Sequence, residues 1–347
     1  MKLKKTTLQN LVTYAIVIAA FVVCQSMIKT GSMSRALRGQ MIPICVYIVM
    51  AISLNLVVGI SGELSLGHAG FMSIGAFTGS IISAWLLGAL QMDNALLRLL
   101  IAMAAGGALA GIAGFLIGIP VLRLRGDYLA IVTLAFGEII RNILNCLYFS
   151  LDGSRLYVSF GNPNIPGKII VNGPAGATGI VKIASFPVGF ALIMFTLIVV
   201  LNLIDSRTGR AIMASRDNRI AAESMGISVT KYKMIAFVTA AVLAGMAGAL
   251  YGLNFSTVTA SKFKFDTSIL VLVFVVLGGI GNIRGSIIAA ALLTVLPELL
   301  RAFSDYRMLV YAIVLILVML ATNNEKLKNL LDKLMPRKKF EEEKNNV

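Results

Sequence analysis

Long apolar runs recur along the whole chain, and they constrain its fold more than any other feature. The 347 residues are 58% hydrophobic and only 14% charged, with a mean hydropathy of +0.87. A helix of about 20 apolar residues crosses about 30 Å of hydrocarbon and satisfies its own backbone hydrogen bonds there. The sequence therefore predicts an all-α polytopic membrane protein. The runs that predict about ten spans occupy 11–28, 42–59, 69–90, 99–120, 128–149, 187–204, 234–253, 269–280, 286–302 and 308–321.

The charge distribution predicts how these spans are oriented. If the N-terminus faces the cytosol, the inside segments carry about twice as many Lys and Arg residues as the outside segments, as membrane proteins prefer. The net charge of +15 is then a property of cytosolic loops and does not indicate nucleic-acid binding. We expect a basic cytosolic N-terminus at 1–10, a transmembrane domain at 11–321 and a charged cytosolic tail at 322–347. Whether the runs 269–280 and 286–302 cross completely stays open, since one is short and the other contains charged residues.

The second and third runs are separated by a polar, glycine-rich stretch, Gly59–Gly70, called the first break below. It contains Ser61, Glu63, Ser65 and His68, which is the only histidine of the chain. Backbone that leaves a helix at membrane depth must be surrounded by protein or by a water-filled cavity. The first break is therefore a candidate for a translocation path, with a tight cytosolic hairpin as the alternative.

A second glycine cluster, Gly278–Gly285, lies between the runs 269–280 and 286–302 and is called the second break. The spans as numbered place it on the same side of the membrane as the first break. Interrupted spans in two halves of a transporter often mark its binding site. Elsewhere, pairs of glycines four residues apart, such as Gly75/Gly79 and Gly248/Gly252, predict close packing between helices.

The fifth run carries polar residues along one side of its helix. Thr133, Glu138 and Arg141 lie within about half of the helix circumference at 100° per residue. Glu138 is about 15 Å from the start of the run. A charge at this depth costs about 2.5–3.5 kcal/mol on insertion scales, so it is expected to face protein or water. A packing ion pair between Glu138 and Arg141 and a polar surface lining a pore are both compatible with the pattern.

The loops 205–233 and 150–186 are too long to be simple turns. In the cytosolic loop, Asp217 or Asn218 can cap a short helix that Gly226 ends. The apolar side of that helix cannot enter lipid among so many charges, which favours docking into a groove of another protein over a solvated basic loop. The external loop 150–186 is rich in Pro and Gly, which predicts either an irregular cap for an external partner or a mobile linker.

No constellation for catalysis or metal binding is visible. Cys24, Cys45 and Cys146 all fall within apolar runs and have no metal-ligand spacing. The stretch Gly161–Lys168 fails the phosphate-loop pattern, because five residues separate its glycines and Ile169 replaces the required Ser or Thr. We expect no enzyme activity, no cofactor, no metal and no ATP site in this chain.

Taken together, these stretches resemble branched-chain amino acid ABC transporter permeases of the LivM type. The stretches that carry the resemblance are Leu54–Phe71, Leu122–Arg141, Thr208–Leu253 and Val276–Gly285. The resemblance implies an ABC importer permease of type II-like fold in a bacterial plasma membrane. It also implies two ATPase subunits, a second related permease that forms a heterodimer with this one, and an extracytoplasmic amino-acid-binding protein.

The resemblance also implies roles for particular residues. The coupling motif of the family would contact the ATPases. It reads Ala-Ala-Glu in this chain, whereas importers at large have the order Glu-Ala-Ala. The coupling residues are Arg216, Asp217, Ala221, Ala222, Glu223 and Gly226. Weak, multiple polar contacts would line the path of the amino acid; the path residues are Asn55, Ser61, Glu63, Ser65, His68, Thr133 and Glu138. Closure of the ATPases on ATP would rock the permease pair between outward-open and inward-open states.

Two other functions remain open at this point. A permease for urea or a short amide would have a very similar sequence. A proton-coupled secondary transporter would use Glu63, His68 or Glu138 to carry protons, and it would work without ATPase subunits.

Overall fold

The computed structural model describes residues 5–31, 33–124, 126–152, 155–162 and 165–300, together with positions 309, 312, 313 and 316. The chain forms two compact units, Met1–Val295 and Leu296–Val347. All candidate path and coupling residues lie in the first unit.

The described residues are mostly helical, with a small sheet. The helices are α1 (Lys5–Lys29), α2 (Arg35–Asn55), α3 (His68–Ala89), α4 (Ala95–Val121), α5 (Asp127–Asn145), α6 (Phe186–Asp205), α7 (Arg207–Asp217), α8 (Arg219–Ser224), α9 (Val229–Gly252), α10 (Phe265–Gly278) and α11 (Ile283–Leu299). The strands are β1 (Leu147–Asp152), β2 (Arg155–Phe160), β3 (Lys168–Asn172), β4 (Ala177–Thr178) and β5 (Thr257–Val258).

Within the described residues, 6 helices are long and apolar enough to cross a membrane. They are α2 with the turn that follows it, α3, α4, α5, α6 and α9, and they correspond to the predicted runs from 42–59 to 234–253. The run 269–280 forms α10, whose 14 residues reach only about 21 Å and are too short for a full span. The run 11–28 lies in α1 and 286–302 begins in α11, whereas most of 308–321 lies outside the described residues. The expectation of ten spans is therefore not confirmed.

Helices α3, α4 and α9 pack against one another through small residues. A Cβ atom added to Gly75 would overlap the carbonyl oxygen of Gly245 on α9, and one added to Gly248 would overlap that of Met72 on α3. Helix backbones can approach this closely only where side chains are absent. The predicted role of the glycine pairs in packing is confirmed for α3 and α9.

The all-α expectation is wrong at one end of the bundle, where five strands form a sheet in the order β2-β1-β3-β4-β5. Helix α5 ends at Asn145 instead of continuing to residue 149, and the next residues pair as strands. Tyr148 and Phe149 in β1, and Tyr157, Val158 and Phe160 in β2, are aromatic or β-branched, and such residues suit a half-buried pleated surface. Much of the loop 150–186 thus forms strands instead of an irregular segment, and its role toward an external partner stays a prediction.

The sheet and the short helices α7 and α8 lie at opposite ends of the bundle. Helix α9 begins at Val229, shortly after α8, and its 24 residues end close to β5. At about 1.5 Å per residue, a helix of this length spans about 36 Å. The structure therefore places the predicted external loop and the predicted coupling loop on opposite sides.

Candidate functional site

A π-helical turn, Leu56–Ile60, continues directly from α2 and leads into the first break. Asn55 precedes this turn and is fully buried. Its Oδ1 accepts a hydrogen bond of 2.8 Å from the backbone N–H of Gly281, and its Nδ2 donates one of 2.9 Å to Ser286 Oγ. Asn55 therefore connects the first break directly to the second break and to the start of α11.

Arg216, the penultimate residue of α7, reaches the same turn from outside α2 and the first break. Its Nη1 donates a hydrogen bond of 2.7 Å to the carbonyl oxygen of Gly59. A Cβ on Gly62, which has a φ of +73°, would overlap the Arg216 side chain. Glycine at position 62 therefore satisfies two requirements at once, a left-handed backbone and space for the arginine.

Glu63 forms an ion pair with Lys233 of α9. The two side chains are only 15% and 9% exposed, respectively. A charge that is mostly removed from water is stabilised by a partner of opposite sign and is costly without it. The ion pair therefore fixes the first break, at Glu63, to the first turns of α9.

The other polar residues of the first break are buried inside this chain. His68 Nε2 lies 2.7 Å from Ser53 Oγ, and Thr133 Oγ1 accepts a hydrogen bond of 3.0 Å from the backbone N–H of Leu66. The hydroxyl groups of Ser61 and Ser65 have no hydrogen-bond partner among the described residues. Such groups are uncommon in protein interiors.

Helix α5 differs from the first break, because much of its surface is not covered by the rest of the chain. Less of α5 is buried than of any other candidate span among the described residues. Arg141 Nε donates a hydrogen bond of 2.7 Å to Glu138 Oε2, so the predicted ion pair is present, and the Glu138 side chain is 35% exposed. The pair lies within one helix and is partly exposed, and that its surface lines a pore stays a prediction.

The loop 205–233 contains the predicted short helix, α8. The side chain of Asn218 caps it by accepting from the N–H of Ala221, and Gly226 follows it with a φ of +79°. The side chains of Ile220 and Met225 are each 81% exposed. Helix α8 thus presents apolar residues outward from a charged surface.

The structure brings six candidate residues, namely Asn55, Ser61, Glu63, Ser65, His68 and Arg216, to the first break, with Thr133 packed against it. Ala221, Ala222, Glu223 and Gly226 lie on or just after α8, and Asp217 pairs with Arg216. Sequence reasoning missed Lys233, Ser53 and Ser286. A lysine just inside a long apolar helix was the one available signal, because buried lysines need an acidic partner.

Long apolar helices interrupted by hydrogen-bonded glycine turns, beside a partly exposed carboxylate on α5, are typical of membrane transport proteins. A family described as "branched-chain amino acid transport system / permease component" matches residues 38–319. The chain belongs to this family.

Individual proteins that are similar to this chain carry names that agree with the family. The chain is 34% identical over 293 residues to the high-affinity branched-chain amino acid transport system permease protein LivM of Salmonella typhimurium, and 33% identical to that of Escherichia coli strain K12. In both cases 79% of this chain is covered, and the chain spans 66% of the relative's own length. The permease protein LivH of Salmonella typhimurium is 34% identical over 117 residues, which is 33% of this chain and 38% of LivH. No solved structure matches the chain.

Proposed function

We propose that this chain is the membrane-spanning permease subunit of an ATP-driven importer of branched-chain amino acids. Separate ATPase subunits supply the energy, and the chain itself hydrolyses nothing. It resides in the bacterial plasma membrane with both termini in the cytosol. The observation that carries this proposal is the contact between helix α7, which leads directly into α8, and the first break, through Arg216 and Gly59.

Helix α8 is the docking point for an ATPase subunit. Ile220 and Met225 are almost fully exposed, although α8 lies among charged residues that keep it out of lipid. Short amphipathic helices bind such apolar side chains into grooves of a partner. The candidate coupling residues lie on this helix or directly beside it.

The translocation path follows α5 and is closed by the first break. Glu138, exposed on α5 at membrane depth, requires protein or water beside it. A second, related permease subunit facing α5 provides both, and the path then lies between the two subunits. The LivM and LivH relatives support such a pair. Ser61, Ser65, His68 and Thr133, buried in this state, become part of the path when the first break moves.

The sheet forms the docking surface for an extracytoplasmic binding protein. Strand β2 lies at the edge of the sheet, and Leu156, Val158 and Phe160 alternate along it with exposed side chains. Exposed apolar side chains that share one face of a strand are typical of protein interaction surfaces. Substrate then enters from the side opposite to α8.

Reconstitution into liposomes tests this function. The chain, with the cognate permease, ATPases and binding protein, is assayed for uptake of radiolabelled leucine and urea. We expect leucine uptake that needs ATP and survives collapse of the proton gradient. Urea uptake in place of leucine would assign the amide substrate, and uptake by the chain alone that an uncoupler abolishes would contradict the proposal.

A further inference from the structure

Two basic side chains that flank α8 both reach back to the first break. Arg216 precedes α8 and donates to the Gly59 carbonyl oxygen at 2.7 Å, and Lys233 follows α8 and pairs with Glu63. Gly59 lies in the π-helical turn and Glu63 follows shortly after the end of that turn, so both contacts reach the same short part of the first break. Helix α8, the proposed docking point for the ATPase, is therefore connected to the first break by one contact that precedes it in the chain and one that follows it.

We propose that Arg216 and Lys233 form a clamp that moves the first break together with α8. This inference rests on the proposed function, in which ATPase subunits act on α8. Neither side chain contacts substrate in this role, so both are positioning residues. The Arg216 guanidinium donates to the Gly59 carbonyl oxygen and to the Asp217 carboxylate, and the Lys233 side chain is buried against Glu63, so both charged groups are engaged in contacts within this chain.

Asn55 extends the effect of the clamp to the second break. Asn55 lies directly before the turn Leu56–Ile60. It is hydrogen-bonded to Gly281 of the second break and to Ser286 of α11. A displacement of the first break must therefore carry the second break along or break two buried hydrogen bonds. Breaking them leaves polar groups unsatisfied, which is unfavourable in a protein interior. Both interruptions of the membrane helices then respond to one movement of α8.

A static brace would use the same contacts but predicts a different phenotype. If Arg216 and Lys233 only stabilised the fold, their loss would lower ATP hydrolysis and uptake in parallel, through loss of assembled transporter. If they transmit movement, ATP hydrolysis continues in the variants while uptake falls. The informative quantity is therefore the number of leucine molecules imported for each ATP hydrolysed.

The experiment measures this ratio in proteoliposomes that contain the complete transporter, with Arg216→Gln as the test variant. Arg210→Gln is the matched control, because Arg210 also lies on α7 but donates to the Asp205 carbonyl oxygen and not to the first break. We expect the ratio to fall about tenfold in Arg216→Gln, as for loss of one charge-assisted hydrogen bond, and to stay within about twofold of wild type in the control. An unchanged ratio in Arg216→Gln, or a parallel loss of hydrolysis and uptake, would overturn the clamp.

A charge exchange tests the second half of the clamp. Lys233→Glu places two carboxylates together and should lower the ratio or prevent assembly, whereas Glu63→Lys combined with Lys233→Glu restores the pair. We expect the double variant to recover most of the wild-type ratio. A double variant that assembles fully but imports no more leucine per ATP than Lys233→Glu would overturn the role of this pair. Wild-type transporter without ATP-dependent uptake would instead contradict the proposed function itself.

Discussion

Two acid–base pairs in this bundle are built from the same chemistry but lie in very different surroundings. Glu63 and Lys233 are 170 positions apart in sequence, and their pair joins the first break to α9 with little exposure to solvent. Glu138 and Arg141 are neighbours on one helix, and Glu138 remains partly exposed. The first pair fixes elements of this chain to each other, whereas the second leaves a charged surface for something outside the chain.

This difference corresponds to two roles that the proposed permease requires. One region must transmit movement and therefore needs rigid connections between elements. The other must contact a solute that binds weakly and leaves again, and therefore needs groups that are not committed to internal contacts. In the proposed function the first break meets the first need and α5 meets the second, and changes in the free energy of unfolding and in transport should distinguish the two regions.

The largest effect on stability is expected from Lys233→Met. It leaves the largely buried Glu63 without its partner, which typically costs about 3–5 kcal/mol. Unfolding of the purified chain in detergent, followed by circular dichroism, measures this loss. Adding Glu63→Gln should recover much of it, because no unpaired charge remains. Equal stability of Lys233→Met and wild type would show that the pair does not fix the first break.

A smaller effect is expected from Asn55→Ala. This change leaves the Gly281 N–H without its acceptor and Ser286 without a donor, at a cost of about 1–3 kcal/mol for a buried polar group. Ser73→Ala serves as the control, because the Ser73 hydroxyl is buried as well but donates only to the carbonyl oxygen of Gly70 within the same helical segment. Hydrogen exchange at the second break should increase in Asn55→Ala and not in the control. Unchanged exchange there would argue against a connection between the two breaks.

Glu138→Gln should hardly change stability, since pairs with this much exposure are worth about 0–1 kcal/mol. Transport should fall much more than stability, because the carboxylate belongs to the proposed path. Asp93→Asn is a suitable control, as it removes an exposed carboxylate outside the membrane helices. Leucine uptake and thermal unfolding are measured on the same preparations. Loss of stable protein without a change in uptake per assembled transporter would assign Glu138 to packing.

The smallest effect on stability is expected from Phe160→Ser on the edge strand β2. An exposed side chain usually contributes within about 0.5 kcal/mol, but covering it with a partner is worth about 1.5–3 kcal/mol. The concentration of binding protein that gives half-maximal ATPase stimulation should therefore rise roughly tenfold. Leu90→Ser removes another exposed apolar residue near that end of the bundle and should have no such effect. Identical behaviour of the two variants would place the docking surface elsewhere.

The features that could be predicted from the sequence were those encoded locally. Helix α8 was predicted because its cap at Asn218 and its end at Gly226 are properties of adjacent residues. The Glu138–Arg141 pair followed from helical spacing alone. The sheet was missed because β1 pairs with both β2 and β3, and such pairing depends on which strands meet in space. The Glu63–Lys233 pair was missed for the same reason.

Uptake of leucine into proteoliposomes, with the ATPase subunits supplied, withheld or replaced by a hydrolysis-deficient form, tests the central claim most directly. If movement of α8 opens and closes the translocation path of this chain, uptake occurs only with ATPases that hydrolyse ATP. Uptake of the same size without any ATPase would show that the chain moves solutes by itself and would contradict the account.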